Sequence, residues 1–431
     1  MLYDNLAVNE AGHLIFAGYD TAALAKEYGT PLLLMDEQRI RNRCRAYQEA
    51  MAAYLPAGSR PLYASKALSI KRIYEIMREE DMGVDVVSSG ELYTAVKAGF
   101  PMENAYFHGS SKTDADIRFA MENRIGCFVC DNADELDAID AEAGRQGIRQ
   151  KILLRLAPGI DPHTHQKINT GRVDSKFGVA IETGQAEQLV LRALEKKNVE
   201  LLGYHCHVGS QLFDHTLFCD SATNMLKFTA EMGRKMGYTA KVVNLGGGMG
   251  VPYISADPSI DYAENIRIIG AHIQAVCEKL ALTPPVILME PGRSIVADSG
   301  MTLYTVTGLK QIPGFKNYVA VNGGMTDNPR YTLYQSDYTV LSPGRMNDTA
   351  DFVCTVAGCC CESGDLIQEN VKLPQPKRGD LLAVLTTGAY NYSMASNYNR
   401  VPRPPVVMVG KDGPYTAVRR ERYEDLLQYD L

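Results

Sequence analysis

Lys66 stands just past a short apolar run at residues 62–65, which is typical of a strand. A lysine at the C-terminal end of a buried strand is desolvated, and desolvation lowers its pKa from ~10.4 toward neutrality. A neutral amine is a nucleophile that can form a Schiff base with a carbonyl cofactor or substrate. The alternative is a structural lysine that extends its ammonium to solvent from the strand end.

A glycine-rich turn, Gly246-Gly247-Gly248, follows another apolar run. Backbone N–H groups without a neighbouring Cβ can hold a phosphate, although a glycine triplet is also typical of a tight turn. Ser210, Gly292 and Arg293 lie at the ends of the runs before and after this one. Their positions favour the phosphate-binding interpretation.

Glu290 ends a third apolar run, next to the predicted phosphate site. A carboxylate that faces a pyridine nitrogen keeps that nitrogen protonated, and the ring then withdraws electrons strongly. The alternative is an ion pair with Arg293. His205 and His207 alternate on a strand and so face the same way. A metal site would need a third ligand, so we expect His207 to stack on a planar cofactor and His205 to lie deeper.

The strands and helices that must position these residues are predicted to alternate regularly along the chain. Short apolar runs alternate with longer amphipathic segments, as in β/α units with a parallel sheet. Eight runs occur, at residues 62–65, 84–87, 105–108, 127–130, 152–156, 201–207, 242–245 and 286–289. Eight units over about 250 residues predict a TIM-type (β/α)8 barrel. A doubly wound open sheet is the alternative, but no G-x-G-x-x-G follows the first run.

In such a barrel the active site lies at the C-terminal ends of the strands. Polar and charged residues stand at these ends in this sequence. They are Lys66, Asp85, Ser88, His108, Arg155, His207, Ser210, Gly246–Gly248, Glu290 and Arg293. We therefore expect them to share one rim of the barrel.

The pattern changes after about residue 302. Runs at 303–309, 318–321, 352–356, 381–386, 406–409 and 416–418 are joined by Gly, Pro and Asp turns with little helix. This predicts a second, mostly β domain, formed by residues 1–35 and 303–431, beside a barrel at 36–302. A helix is expected at 21–28. The polar loop at 161–177 is either a substrate lid or an ordinary surface loop.

Composition narrows the class of protein. The chain has 431 residues, a net charge of −7 and no dense Lys/Arg block, so we expect neither nucleic-acid nor membrane-surface binding. No apolar run approaches ~18 residues, and no signal peptide is expected at the N-terminus. Ten cysteines at scattered positions do not resemble a zinc site or a small disulfide framework, and so they fit free thiols in a reducing cytoplasm.

Three cysteines in a row, Cys359 to Cys361, precede Glu362 in the second domain. This places a thiol beside a carboxylate in a turn between strands. On its own the motif indicates a structural cysteine, because free cysteines usually pack as small hydrophobic residues. Arg330, Tyr334 and Tyr390 add a cation and two phenols in loops of the same domain.

Taken together, these segments resemble the diaminopimelate decarboxylases, pyridoxal-phosphate enzymes with an alanine-racemase-like barrel. The resemblance covers nearly the whole chain in order. Its motifs are YASKA (63–67), VVSSGE (86–91), SKFG (175–178), HVGSQ (207–211), GGG (246–248), EPGR (290–293), NGGMTDNPRYTLY (322–334), CESGD (361–365) and GAYNYSMASNYN (388–399). Cys361-Glu362-Ser363 favours this branch over ornithine or arginine decarboxylases. The run of three cysteines departs from the family pattern.

The resemblance implies a role for each matching residue. Lys66 would carry pyridoxal 5'-phosphate, His207 would stack on its ring, and Glu290 would pair with the pyridine nitrogen. Asp85 would belong to the same cofactor site. The phosphate would be bound by Ser210, Gly246, Gly247, Gly248, Gly292, Arg293 (through its backbone) and Tyr390. The substrate would be held by Arg293, Arg330, Tyr334, Glu362 and Tyr390. Cys361 would donate a proton across the interface of a homodimer.

The implied reaction is decarboxylation of meso-2,6-diaminopimelate to L-lysine and CO2, the last step of lysine biosynthesis. A thiol with a pKa of ~8.5 can return the proton to the carbon that loses CO2. Three alternatives use the same scaffold: a decarboxylase of another diamino acid, of the ornithine/lysine type or from a siderophore pathway, a racemase, and a pyridoxal-phosphate carrier. The racemase would need a tyrosine base that faces Lys66, and the carrier would not need the second domain.

Overall fold

The computed structural model describes residues 2–160 and 176–431. The chain divides into two compact units. The barrel unit comprises Arg43–Gly250 and Ser259–Ser294, and the β unit comprises Met1–Asn42, Val251–Pro258 and Ile295–Leu431. Two of these divisions fall inside helices, Glu37–Tyr54 and Arg293–Val296.

The strands of the barrel unit form a closed, eight-stranded parallel barrel. With strands numbered along the whole chain, they are β5 (Arg60–Ala64), β6 (Gly83–Val86), β7 (Ala105–Phe107), β8 (Cys127–Cys130), β9 (Gln150–Ala157), β11 (Val199–His205), β12 (Val242–Asn244) and β13 (Val286–Met289). A short strand, β10 (Val179–Ala180), pairs with β9 outside this ring. β13 pairs with β5 through Leu288 and Arg60, which closes the ring. The predicted TIM-type barrel is confirmed, and the open-sheet alternative is wrong.

Helices alternate with these strands, as the amphipathic segments indicated. They are α2 (Glu37–Tyr54), α3 (Lys71–Glu79), α4 (Ser89–Lys97), α5 (Asp114–Glu122), α6 (Ala133–Gln146), α7 (Gln185–Glu195), α8 (Thr216–Met236) and α9 (Tyr262–Leu280). Polar N-caps fix several starts: Ser88, Asn132 and Asp261 each accept a backbone N–H in the first turn. Thr113 and Asp116 form a capping box at the start of α5.

Apolar side chains from several strands fill the barrel. Leu62, Val129, Leu153 and Leu288 form one buried cluster together with Cys127. This packing uses the inward-facing positions of the strands, so that the residues just past the strand ends are left for the rim.

The β unit contains two sheets. The smaller is an antiparallel sheet of β1 (Leu6–Val8), β2 (Leu14–Phe16) and β3 (Tyr19–Asp20). The larger contains β4 (Leu32–Asp36), β14 (Gly300–Ile312), β15 (Lys316–Val321), β16 (Val340–Leu341), β17 (Phe352–Ala357), β18 (Leu366–Leu373), β19 (Leu381–Leu385), β20 (Val406–Gly410) and β21 (Gly413–Val418). The predicted mostly β domain is confirmed, although β18 was not predicted.

Short helices complete the β unit: α1 (Thr21–Tyr28), α11 (Arg330–Tyr334) and α12 (Tyr423–Leu426), with α10 (Arg293–Val296) at the division. The helix expected at 21–28 is present as α1. Residues 161–175 of the expected polar loop lie outside the described residues. Within the described part of the chain, no helix combines the length and apolar character that a membrane crossing requires.

Candidate active site

Lys66 lies in a single 3-10 turn, Ser65–Ala67, directly after β5. The strand before it is buried from Pro61 to Ala64, but Lys66 itself is exposed. The expectation that this lysine would be desolvated is therefore wrong, because the turn carries its side chain past the buried end of the strand. Its ammonium still interacts electrostatically with Asp85, Glu91 and His207.

Two acidic residues flank the lysine turn. Asp85, on the neighbouring strand β6, is buried and accepts the backbone N–H of Ser65, while its Oδ1 has no hydrogen-bond partner among the described residues. Burial, together with the negative charge of Glu290, raises the pKa of Asp85, and Lys66 opposes this shift. The ammonium of Lys66 can lower the pKa of Asp85 only if it lies near that carboxyl group, so Lys66 and Asp85 are close together.

Glu91 is a site residue that the sequence analysis did not assign. Its carboxylate accepts hydrogen bonds from the Ser65 hydroxyl at 2.8 Å and from the Val87 backbone N–H at 2.7 Å. Burial raises its pKa despite these bonds and the nearby Lys66. Glu91 thus ties the first turn of α4 to the lysine turn; its place in the VVSSGE motif was the only signal for it in the sequence.

Glu290 follows β13 and lies at the centre of a buried polar cluster. Its Oε1 is 2.7 Å from Asn244 Nδ2 and 2.9 Å from His108 Nε2, and its Oε2 is 3.2 Å from His205 Nε2. Arg293, the ion-pair partner considered from the sequence, donates from Nη2 to Ser210 Oγ at 3.0 Å. Polar side chains from three other strand ends therefore surround this carboxylate, and two of them, Asn244 and His205, form hydrogen bonds with it.

The protonation states in this cluster follow from burial and hydrogen bonding. Burial lowers the pKa of His205 to about 4 and also lowers that of His108, although Glu290 opposes both shifts. Burial alone would raise the pKa of Glu290, but the two imidazoles outweigh it and hold that pKa well below its usual range. A neutral His205 that donates its Nε2–H to an ionised Glu290 agrees with both shifts, because burial keeps the imidazole uncharged and the donated N–H stabilises the carboxylate.

His205 and His207 differ in depth. His205, the last residue of β11, is 1% exposed, whereas His207 lies two residues past the strand and is half-buried. The run predicted at 201–207 therefore ends earlier than expected. Burial, followed by the charges of Lys66 and Arg155, lowers the pKa of His207, so this ring is neutral beside the lysine turn.

His108, His205 and Glu290 also form a group that could hold a metal ion. One ligand atom from each lies within 4.8 Å of the others. The pair considered from the sequence was His205 with His207, but the structure groups His205 with His108 and Glu290, which come from two other strand ends. Two histidines and a glutamate are a known zinc-ligand set, although here the three side chains contact one another directly.

The glycine turn has a packing explanation of its own. A Cβ at Gly247 would lie 1.9 Å from the Glu290 carbonyl oxygen, and Gly248 has φ +128°. Only glycine fits such a close approach and such a conformation. The tight-turn interpretation therefore holds at these positions, whether or not the N–H groups also bind an anion. The Asn244 side chain accepts the Gly246 N–H at 2.9 Å, which adds a polar tie to the turn.

In the β unit, the guanidinium of Arg330 lies close to the rings of three tyrosines. Arg330 is 8% exposed, and its Cζ lies 5.5 Å from the ring centroid of Tyr253, 5.7 Å from that of Tyr334 and 6.0 Å from that of Tyr390. Its Nη2 also donates to Ser336 Oγ at 3.0 Å. The predicted residues Arg330, Tyr334 and Tyr390 are thus together, and Tyr253 is a neighbour that the sequence analysis missed.

Cys361 and Glu362 lie on the exposed loop between β17 and β18. The Cys361 backbone N–H donates to Asn399 Oδ1 at 2.8 Å. The buried Asp365 accepts the N–H groups of Met325 at 2.6 Å and Cys360 at 2.7 Å, which anchors the loop. An exposed thiol does not fit the structural interpretation, in which the cysteine packs as a small apolar residue.

Comparison with known proteins agrees with this geometry. The family model described as "Pyridoxal-dependent decarboxylase, pyridoxal binding domain" matches residues 37–297. The chain is 43% identical to the diaminopimelate decarboxylase of Bacillus subtilis, over 98% of this chain and 96% of the relative. It is 40% identical to that of Staphylococcus aureus, over 98% of each chain.

Solved structures give the same result. The diaminopimelate decarboxylase of m. jannaschii, in complex with L-lysine, superposes with a TM-score of 0.91 at 33% identity, covering 99% of this chain and 98% of the other. The Helicobacter pylori enzyme, also with L-lysine, gives 0.86 at 30% identity, covering 95% and 98%. The chain belongs to the diaminopimelate decarboxylase family of pyridoxal-dependent enzymes.

Proposed function

We propose that this protein decarboxylates meso-2,6-diaminopimelate to L-lysine and CO2, with pyridoxal 5'-phosphate bound to Lys66. The observation that carries the proposal is the lysine turn. An accessible amine stands at a barrel strand end, within electrostatic reach of Asp85 and His207, in the part of the chain that the pyridoxal-binding family model matches. The matched relatives are named for this decarboxylation.

The residues present suit the cofactor. Asp85 Oδ1 is buried without a hydrogen-bond partner among the described residues, and Glu290 is held in its ionised form. Bound pyridoxal phosphate would supply an electron-withdrawing ring for the decarboxylation. Glu290 would keep the ring nitrogen protonated, and the neutral imidazole of His207 would supply a flat surface beside the lysine.

The phosphate group would be held near the glycine turn. Its proposed ligands are Ser210, Gly246, Gly247, Gly248, Gly292, Arg293 and Tyr390. The hydrogen bond from Arg293 Nη2 to Ser210 Oγ supports this assignment, because it brings two of the proposed ligand residues together at the rim of the barrel. Arg293 would bind the phosphate through its backbone N–H, which leaves its guanidinium for a substrate carboxylate.

Substrate recognition uses charges at both ends of the molecule. Arg293 and Arg330 would bind carboxylates, Tyr334 and Tyr390 would donate hydrogen bonds, and Glu362 would bind the distal ammonium. The phenol rings around the buried Arg330 exclude water from its guanidinium and so strengthen its attraction for a carboxylate. A site that pairs both charges of the substrate tail rejects analogues that lack one of them.

Cys361 would donate a proton to the carbon that loses CO2 and then regain one from solvent. Its exposure fits a thiol that serves a site in a second copy of the chain, so the active unit is a homodimer whose active sites are shared across the interface. All ten cysteines are free, which fits the reducing cytoplasm.

The proposal is tested by supplying each diaminopimelate stereoisomer to the holoenzyme and measuring lysine and CO2. Only the meso isomer should give both products. Turnover of ornithine or lysine in its place would favour a decarboxylase of another diamino acid. The likeness to the lysine/ornithine decarboxylase of Vibrio vulnificus, at 24% identity and a TM-score of 0.76, concerns the fold alone.

A further inference from the structure

The carboxylate of Glu290 accepts hydrogen bonds from residues whose roles are not yet explained. Asn244 is the last residue of β12 and His205 is the last residue of β11, and both are essentially inaccessible to solvent. Asn244 donates to Oε1 at 2.7 Å and His205 contacts Oε2 at 3.2 Å. His108 Nε2 lies 2.9 Å from Oε1 but is poorly aligned for a hydrogen bond.

The orientation of the Asn244 amide is fixed by its two partners. Its Oδ1 accepts the backbone N–H of Gly246 at 2.9 Å, so the atom that faces Glu290 must be the NH2 group. The Glu290 N–H in turn donates to the Gly246 carbonyl at 2.9 Å. Asn244 therefore connects the carboxylate rigidly to the first glycine of the turn.

The tautomer of His205 follows from the same contacts. Its Nε2 faces the carboxylate, whereas its Nδ1 is buried without a partner in the described ranges 2–160 and 176–431. A neutral imidazole has one N–H, and placing it on Nε2 satisfies the charged acceptor. The ring also packs edge-on against His108, with centroids 4.7 Å apart, which limits its rotation.

We propose that Asn244 and His205 are positioning residues that hold Glu290 ionised and aimed at the ring nitrogen of the cofactor, and that Asn244 sets its place relative to the glycine turn. This inference rests on the proposed function, because it requires a bound pyridine ring. Each lost donor increases the affinity of Glu290 for a proton. The proton then stays on the carboxylate, and the ring loses its positive charge.

A metal ion is the competing occupant of this cluster. Two imidazoles and a carboxylate can bind zinc. Asn244 favours the positioning role, because its NH2 group points at the same oxygen that lies nearest His108, and an N–H donor so placed faces an accepting anion rather than a cation.

The test is the ¹⁵N resonance of the ring nitrogen in holoenzyme loaded with labelled pyridoxal phosphate, measured with cofactor Kd. In Asn244→Ala and His205→Leu we expect the resonance to move toward that of unprotonated pyridine, with cofactor affinity about tenfold weaker. His205→Gln keeps an N–H near the same place and should restore the wild-type resonance. Val243→Ala is the control: Val243 is fully buried on the same strand as Asn244, so the substitution should lower Tm but leave the ¹⁵N resonance unchanged.

Wild-type resonances in both Asn244→Ala and His205→Leu would overturn the inference. So would one zinc ion per chain that is lost in His205→Leu, because the cluster would then be a metal site. If Asn244→Ala does not fold, the His205→Leu and His205→Gln pair decides. Failure of the proposed function is distinct: the wild-type protein itself would then not bind the cofactor or release CO2 from meso-diaminopimelate.

Discussion

At the scale of single residues, chemistry depends on where a side chain emerges from its strand. Lys66 was identified from the sequence because it follows an apolar run, but the sequence did not predict that its side chain is exposed. Exposure depends on the turn at Ser65–Ala67, which carries the side chain beyond the buried part of β5. Asn244 was not identified, because its partner Glu290 lies 46 positions further along the chain.

The run of three cysteines gives a direct test of the proton donor. Cys361→Ala should lose turnover by about 10²- to 10⁴-fold, because a positioned acid contributes about that much. It should retain bound cofactor, measured by visible absorbance. Cys359→Ala is the matched control, an exposed neighbour on the same loop, and it should keep most activity. If Cys359→Ala were the inactive variant, the register of the motif would be wrong.

Arg330 is expected to act on the substrate rather than on the cofactor. Arg330→Met keeps much of the side-chain volume but removes the charge, and KM for meso-diaminopimelate should rise about 10- to 100-fold, since a hydrogen bond to a charged group contributes about 1.5–3 kcal/mol. Cofactor Kd should not change. The half-buried Arg345, which pairs with Asp348, provides the control substitution, Arg345→Met. An equal loss of substrate and cofactor affinity would contradict the assigned role.

At the scale of secondary-structure elements, apolar runs predicted all eight barrel strands because parallel barrel strands are buried along most of their length. β18 was missed because its sequence, LIQENVKL, has three consecutive polar residues at its centre and no strong apolar run. The ends of the strands were predicted less accurately than their existence. β11 was expected to reach residue 207 but ends at His205, so His205 is buried within the strand whereas His207 lies past it and is half-buried.

The cluster at the strand ends predicts sensitivity to acid. Burial lowers the folded-state pKa of His205 to about 4, whereas an unfolded histidine titrates near ~6.5. Between these values the unfolded chain binds more protons, so the free energy of unfolding falls as the pH falls from 6.5 to 4, by roughly 3 kcal/mol in total.

The comparison of wild type with His205→Gln isolates this effect. The raised pKa of Asp85 acts in the opposite direction in both proteins, and Glu290, whose pKa is lowered, loses its contribution only below its unfolded value. Thermal unfolding at pH 7 and pH 4.5 should show a smaller loss of Tm in His205→Gln than in wild type. Equal losses would mean that His205 is not a buried neutral imidazole.

At the scale of the whole molecule, the sequence predicted a barrel and a mostly β domain, and both are present as compact units. It did not predict that Val251–Pro258 belongs to the β unit, because a segment of eight residues is too short for its composition to distinguish it from the barrel segments on either side. Assembly also belongs to this scale, since a thiol exposed on its own chain fits a site in a partner.

Mixed dimers test shared active sites. Lys66→Ala and Cys361→Ala should each be inactive alone. After they are unfolded and refolded together, about half of the dimers should be hybrids with one intact site, which would restore about a quarter of wild-type activity. If each active site lay within one chain, no mixture would recover activity beyond that of its components.

The central claim is that Lys66 carries the cofactor, and borohydride reduction of the holoenzyme followed by peptide mass spectrometry tests it most directly. Reduction fixes a Schiff-base cofactor to the lysine that bears it. We predict one pyridoxyl group per chain, on the peptide that contains Lys66, and none in Lys66→Ala. A label on another lysine, such as the buried Lys112, or a reducible cofactor retained in Lys66→Ala, would contradict the account.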